Sequence, residues 1–380
     1  MGHDTIVVGM GAMGSAAAWQ LARRGHSVLG LERFDIPHGQ GSHHGVTRII
    51  RLPYYEDPAY VPLLRRAYAL WREIEAASGE ALLHITGSLD GGPADGALFR
   101  GALRSARLHD VPHEVLSGAE VARRFPAYAL PDESRFVFQP DGGFLASERA
   151  VLAHVRAAQD AGADIRARVR VLDWATTPGG GVRVRTDQGT FEAATLILAA
   201  GAWMAELVPD LRGVAVPERQ VLAWLQPQAP ALFTPARFPV FNIEVAEGRY
   251  YGLPVFEVPG FKFGRYHHRG ETGAAEAVRR APDAADEALL RGFAERYFPT
   301  GCGPTMALRD CLFTNTPDEH FIIDRHPRAR QVVIASPCSG HGFKFASVIG
   351  EILAEMATGD GRTRHDIGFL RLDRPGLRPG

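Results

Sequence analysis

A strand, a glycine-rich turn, a helix and a second strand follow one another over residues 5–34. A late apolar strand, "TLILAAG", ends at Ala200-Gly201, and strands dominate the stretch from 217 to 300. These observations predict a mixed fold. A doubly wound, Rossmann-like α/β domain is built from separated stretches, and a mainly antiparallel β domain of α+β character is inserted between them. At 380 residues the chain is too long for one simple core. The expected division gives 1–80, 146–216 and 318–380 to the first domain, and 81–145 with 217–317 to the second.

The elements follow in order. "TIVVG" (5–9) is short, apolar and β-branched; "SAAAWQLARRG" (15–25) has helix formers and a closing glycine, Gly25; "HSVLGLERF" is the next strand. A helix fits 62–77, with Pro62 near its start and apolar residues at helical spacing. Short strand-like and helical pieces alternate over 82–145. A helix is expected over 147–165, with Ser147 as N-cap. Residues 166–203 read as a strand, a hairpin turning at "PGGG", and a buried strand. Strands are then expected at "RQVLAWLQP", "VFNIEV", "GRYYGLPVF" and "GFKFGRYHH". A helix, "ADEALLRGFAERYF", a strand, "QVVIASP", and a glycine-led helix, "SGHGFKFASVIGEILAEMAT", follow.

Composition narrows the function. Hydrophobic residues at 46% and charged residues at 22% suit a globular protein, and a net charge of −1 gives no reason to expect nucleic acid or a membrane surface as partner. No apolar run approaches the ~20 residues of a membrane helix. The chain opens directly on "DTIVVGMG" and ends "RPGLRPG", so a cytoplasmic protein is expected. Cys302, Cys311 and Cys338 are odd in number and lack CxxC spacing, which argues against a disulfide framework and a cysteine zinc site. The pairs His43–His44 and His267–His268 point to opposite sides of a strand, with no further ligand at spacing, so no metal is expected.

Gly9, Gly11 and Gly14 form GxGxxG between a strand and a helix. The first glycine permits the turn, the second the approach of a pyrophosphate, and the third close packing of helix on strand. Amides from Ala12 and Met13 onward then face the phosphates. Glu32, at the end of the second strand, stands where a ribose hydroxyl is bound, and its charge disfavours a 2′-phosphate. The glycine pattern alone does not choose between NAD and FAD. The late strand ending Ala200-Gly201 before Trp203 looks like the second fingerprint of two-domain flavoproteins.

"GSHHGVTRIIR" (41–51), "DGGFL" (141–145), "RYYGLP" (249–254), "FKFG" (261–264), "CLFTNTPDEHFIID" (311–324) and "SGHGFKFASVIGEI" (339–352) occur in that order. Together they resemble the monomeric sarcosine oxidase and N-methyltryptophan oxidase family of D-amino-acid-oxidase-like flavoproteins. The resemblance implies FAD joined covalently to Cys311 through its 8α-methyl carbon. It implies cofactor contacts at Gly9, Gly11, Ala12, Met13, Gly14, Glu32, Arg33, Ser42, His43, Val171, Ala200, Gly201, Trp203, Gly340, Gly342 and Phe343. It also implies an oxygen-activating Lys262, a carboxylate clamp of Arg51 and Lys344, His44 and Arg48 on the flavin face, an active-site Tyr251 and a substrate-pocket His267. The physics agrees for the clamp, since a guanidinium fork suits a carboxylate and an ammonium adds a point charge. Three positions depart from the family pattern. Val46 replaces an acid, Phe313 replaces a tyrosine, and Arg265 looks like an insertion. The implied reaction is oxidation of a secondary amino acid such as sarcosine by O2, giving hydrogen peroxide and, from an N-methyl group, formaldehyde. Cyclic or bulkier amines (proline, pipecolate, N-methyltryptophan-like), or a dehydrogenase using another acceptor, are the alternatives. The partners expected are a small amine and O2, and the chain is expected to be monomeric.

Overall fold

Thr5, Ile6, Val7 and Val8 are buried in the first strand, His3–Val8, as a central parallel strand requires. In the computed structural model, which describes residues 2–377, this strand lies between Val28–Leu31 and Gly189–Leu198, parallel to both. Asp164–Arg166 extends the sheet on one side and Ala329–Ser336 on the other, again in parallel. The hairpin Val171–Thr176 with Val182–Thr186, and the strand Ile322–His326, add antiparallel members.

The helices Ala12–Ala22, Ser147–Asp160 and Ala346–Ala357 share one apolar core with Val61–Ser78. Gly350 makes the closest approach. A Cβ there would stand 2.6 Å from the carbonyl carbon and Cβ of Ala16. Gly350→Ala is therefore expected to cost about 1–3 kcal/mol by forcing two helices apart, less the ~1 kcal/mol that alanine gains over glycine in a helix. A lower urea midpoint is the readout, and a higher one would contradict the packing argument.

The second sheet has eight strands in the order Thr305–Asn315, Val216–Leu225, Phe261–Arg265, Gly248–Leu253, Val240–Val245, Ser88–Gly92, Arg135–Gln139 and Glu114–Ser117. All neighbours are antiparallel except Val240–Val245 with Ser88–Gly92. This is the mainly antiparallel insertion that the pattern predicts. The helix Ala284–Tyr297 covers it, with Phe293 stacked on Tyr250 at 3.8 Å between ring centroids. A small third sheet, Thr47–Ile50, Gly143–Ala146 and Leu83–Ile85, takes strands from both sides of the expected domain boundary.

Three local readings are corrected. The helix expected over 147–165 ends at Asp160, because Gly162 turns the chain at φ +93° and Asp164–Arg166 joins the sheet beside Val28–Leu31. Ser147 is that helix's first residue rather than its cap; Ala146 precedes it, and the Ser147 hydroxyl donates to Glu148 Oε2 at 2.7 Å. The glycine-led helix begins as a single 3-10 turn, Phe343–Phe345, before the α-helix Ala346–Ala357. Arg265, read as an insertion, lies within a regular strand: it pairs in register with Tyr250, and Gly264 with Tyr251, without a bulge.

Candidate active site

The first sheet's glycine turn and the second sheet's inner face line one continuous cavity. At its nucleotide end Gly9 adopts φ +91°, and a Cβ on Gly14 would stand 1.8 Å from the Gly9 carbonyl oxygen, so only glycine lets helix and strand meet there. Gly14 is thus a packing residue behind the wall, while Gly9, Gly11, Ala12 and Met13 form it. Gly11 precedes Ala12–Ala22 with no side-chain cap, which leaves the first-turn amides free for an anion. The Glu32 carboxylate accepts from the Met10 and Phe34 amides at 2.8 and 3.0 Å; burial pushes its pKa up against those bonds. Arg33, Val171, Ala200, Gly201 and Trp203 complete this half of the wall. Ser42 Oγ and His43 Nε2, both on wall residues, are buried without a hydrogen-bond partner. These orphaned groups, the bare cradle and the acid at Glu32 fit a dinucleotide.

At the far end stands Cys311, 2% exposed, on Thr305–Asn315. Arg48 Nη2 lies 3.7 Å from its sulfur and donates to the Ser42 carbonyl at 2.9 Å, while Nη1 donates to the Thr47 carbonyl at 2.8 Å. Burial raises the Cys311 pKa, and Arg48 and Lys262 oppose that rise. Lys262 sits just behind the wall. Its Nζ donates to the carbonyls of Gly45 and Thr47 at 2.7 and 2.6 Å and lies 3.2 Å from Thr47 Oγ1. Burial and Arg48 lower its pKa well below the usual lysine value. Tyr251, Phe313, Cys338, Gly340, Gly342 and Phe343 line the same region.

Lys344 closes the cavity. It is 6% exposed and gives one N–H to the His341 carbonyl at 2.8 Å. Burial, with Arg51 nearby, brings its pKa down to about 7. Arg51 is placed differently from expectation. It is fully buried outside the wall, with Nε 2.9 Å from Asp90 and Nη2 3.1 Å from Glu56, so its fork is already occupied by two carboxylates. His44 also lies off the wall, which His43 forms instead. Its Nε2 is buried and unpartnered, and burial lowers its pKa to about 4.

His267 is likewise outside the cavity. It turns outward at φ +54°, half exposed between Glu218 at 2.8 Å and Glu319 at 3.1 Å, and the two carboxylates raise its pKa to about 9. Tyr266 takes the expected place on the wall. Strand alternation explains this: 262, 264 and 266 share one face of Phe261–Arg265 and its extension, and 267 points away.

Sequence reasoning missed Tyr266, although that period-2 count could have found it. It also missed Glu148, whose carboxylate accepts from the Gly45 amide at 2.6 Å and the Val46 amide at 2.9 Å. Burial raises the Glu148 pKa, but the Ser147 hydroxyl, these amides and Arg48 outweigh it and lower the pKa. Glu148 thus brings an acid to the turn where Val46 lacks one. Glu351, Glu355 and His365 also converge, but Arg66 and Arg364 already bind the Glu351 carboxylate.

Residues 4–356 match the family described as FAD dependent oxidoreductase. The chain is 39% identical over 380 residues to the monomeric sarcosine oxidase of Bacillus sp. (strain NS-129), covering 99% of this chain and 97% of that protein. It is 36% identical over 361 residues to the N-methyl-L-tryptophan oxidase of Yersinia pestis (strain Pestoides F), covering 94% and 95%. Among solved structures, NikD, "an unusual amino acid oxidase essential for nikkomycin biosynthesis", superposes with a TM-score of 0.84 at 27% identity over 97% of both chains. A glycine turn, an acid at the next strand end and a match that spans both sheets lead to one conclusion: the chain belongs to the FAD-dependent oxidoreductases and resembles their sarcosine and N-methyltryptophan oxidase members.

Proposed function

We propose that this protein is an oxidase of secondary amino acids, N-methyl compounds such as sarcosine first among them, in which FAD is bound covalently through Cys311. The observation that supports it best is the continuity of one cavity wall from the glycine turn through Cys311 to the buried ammonium of Lys344. Bound FAD would supply the acceptor for a hydride equivalent from the C–H beside nitrogen and pass the electrons to O2. Gly9, Gly11 and the first amides of the following helix would hold the pyrophosphate, and Glu32 the ribose. The Cys311 thiol would form the thioether, with O2 taking up the two protons and two electrons released and leaving as hydrogen peroxide.

Lys344 then binds the substrate carboxylate with its free N–H groups, and Tyr251 and Tyr266 set the width of the pocket. With Phe313 in place of a tyrosine, that side of the pocket has no hydroxyl. The cations Arg48 and Lys344 favour the neutral amine over the ammonium form. Arg51 acts at one remove: it pairs with Glu56 and Asp90, whose charges also act on Lys344. Anaerobic mixing with a panel of N-methyl, cyclic and primary amino acids tests the reading. N-methyl amino acids are expected to bleach the flavin fastest and to give peroxide in air. Fastest bleaching by primary D-amino acids would overturn it.

The Lys344 pKa makes a second prediction. A lysine whose folded pKa is lowered to about 7 is cationic below that value and neutral above it. The Kd of a simple carboxylate without an amine, such as butyrate, should therefore rise up to about tenfold per pH unit above pH 7, and Lys344→Met should bind weakly with a flat profile. Calorimetric titration from pH 6 to 9 checks this. A flat profile in the unaltered protein would remove Lys344 as the anchor.

A further inference from the structure

We infer that Arg249 is a specificity-determining residue that selects, within the substrate class proposed above, amino acids whose side chain carries a second carboxylate. The inference rests on the secondary-amine reading and adds the nature of the side chain.

Arg249 belongs to the strand Gly248–Leu253, two residues before Tyr251, so both side chains emerge on the same face, and Tyr251 is on the cavity wall. Its guanidinium carbon stands 3.6 Å from the ring centroid of Tyr266, itself on the wall, and 5.0 Å from that of Tyr55. Stacking fixes the plane of the fork and leaves its N–H edges free.

The neighbouring cations are all engaged. Arg51 holds Asp90 and Glu56, Arg48 holds the backbone carbonyls of Ser42 and Thr47, and Lys262 those of Gly45 and Thr47. The Arg249 side chain, by contrast, makes no hydrogen bond and no ion pair among the described residues, and its Nε is buried without a partner. The acids that face it are already taken, Glu56 by Arg51 at 3.1 Å and Glu319 by His267 at 3.1 Å. Arg249 is not itself on the wall but stands directly behind Tyr266, which is; a half-buried guanidinium with unused donors there is an unmatched charge, and a planar carboxylate is the group that matches a fork in two bonds. Lys344 takes the α-carboxylate, so a second one, carried past Tyr266 on the side chain, is what Arg249 would receive.

The experiment compares glutarate with butyrate, which differ by one terminal carboxylate, in calorimetric titrations of the holoenzyme at pH 6.5. Glutarate is expected to bind at least about tenfold more tightly, the weight of one charge-assisted pair. Arg249→Met, which keeps the bulk of the side chain, should bring that ratio close to one. Arg249→Lys should retain part of it. N-methylglutamate should correspondingly exceed sarcosine in kcat/KM through a lower KM. An equal affinity for the two acids in the unaltered protein, or a ratio that survives Arg249→Met, overturns the inference while leaving the oxidase reading intact if sarcosine still bleaches the flavin. Absence of bleaching by any secondary amine overturns both.

Discussion

Replacing Cys311 with serine is expected to move all the yellow colour into the supernatant when the purified protein is boiled and acid-precipitated, whereas the unaltered protein keeps it in the pellet. The structure offers two thiols on the cavity wall, Cys311 and Cys338, and their surroundings differ. Attack requires the thiolate. Burial drives the Cys338 pKa up to about 12, with only a Thr314 hydrogen bond opposing, so that sulfur stays protonated. Cys311 is also raised by burial, but Arg48 stands 3.7 Å from its sulfur and Lys262 adds a second opposing charge. The strand holding it is in register before and after the attachment point, with Val221 opposite Asp310 and Arg219 opposite Leu312. Cys338→Ser should therefore leave the colour in the pellet. Release by Cys338→Ser in place of Cys311→Ser would transfer the attachment to the other sulfur, and release from the unaltered protein would end the covalent proposal. Arg48→Met should slow attachment in reconstituted apoprotein, because it removes the nearer of the two charges that stabilise the thiolate.

What could be read from the sequence was what short-range geometry dictates. Gly9, Gly11 and Gly14 announce themselves because a turn, a helix start and a strand contact all fall within six residues, and Glu32 follows at the end of the next strand. The second sheet was legible because its strands are short apolar, aromatic-rich runs separated by turn residues. What failed was partnership across long separations. Arg51 looked like a free fork because Asp90, which holds it, arrives on a strand of the other sheet and pairs there with Asn242. Glu148 was invisible for the same reason, since it reaches Val46 from 102 residues away. The exchange of His267 for Tyr266 is a different error. Counting by twos from Lys262 would have found it, whereas the resemblance was read with an insertion at Arg265, a residue that lies within a regular strand.

Lys262→Met should slow reoxidation of the reduced enzyme by about 30- to 1,000-fold while leaving its anaerobic reduction by substrate within a few-fold. The transfer of one electron to O2 creates an anion in a water-poor site, so a fixed cation lowers that barrier selectively. One fixed charge or preorganised donor in such a site contributes about 2–4 kcal/mol. Lys262 is preorganised in that sense: two carbonyls and a hydroxyl of the 45–47 turn fix its Nζ, and that turn is in turn clasped by Glu148. Methionine keeps the stem and loses the charge, so the turn keeps its packing. A pH profile separates charge from structure. The Lys262 pKa is lowered by burial, and the cation exists below it and is lost above it. The oxygen rate should therefore fall as pH rises through that depressed value, and Lys262→Met should show no such fall. Stopped-flow mixing of the reduced enzyme with O2 from pH 6 to 10 reads both effects. A variant that reoxidises normally but is reduced slowly would mean that Lys262 serves the amine and not the oxygen. A slow variant that keeps the pH dependence would mean that another group carries the charge.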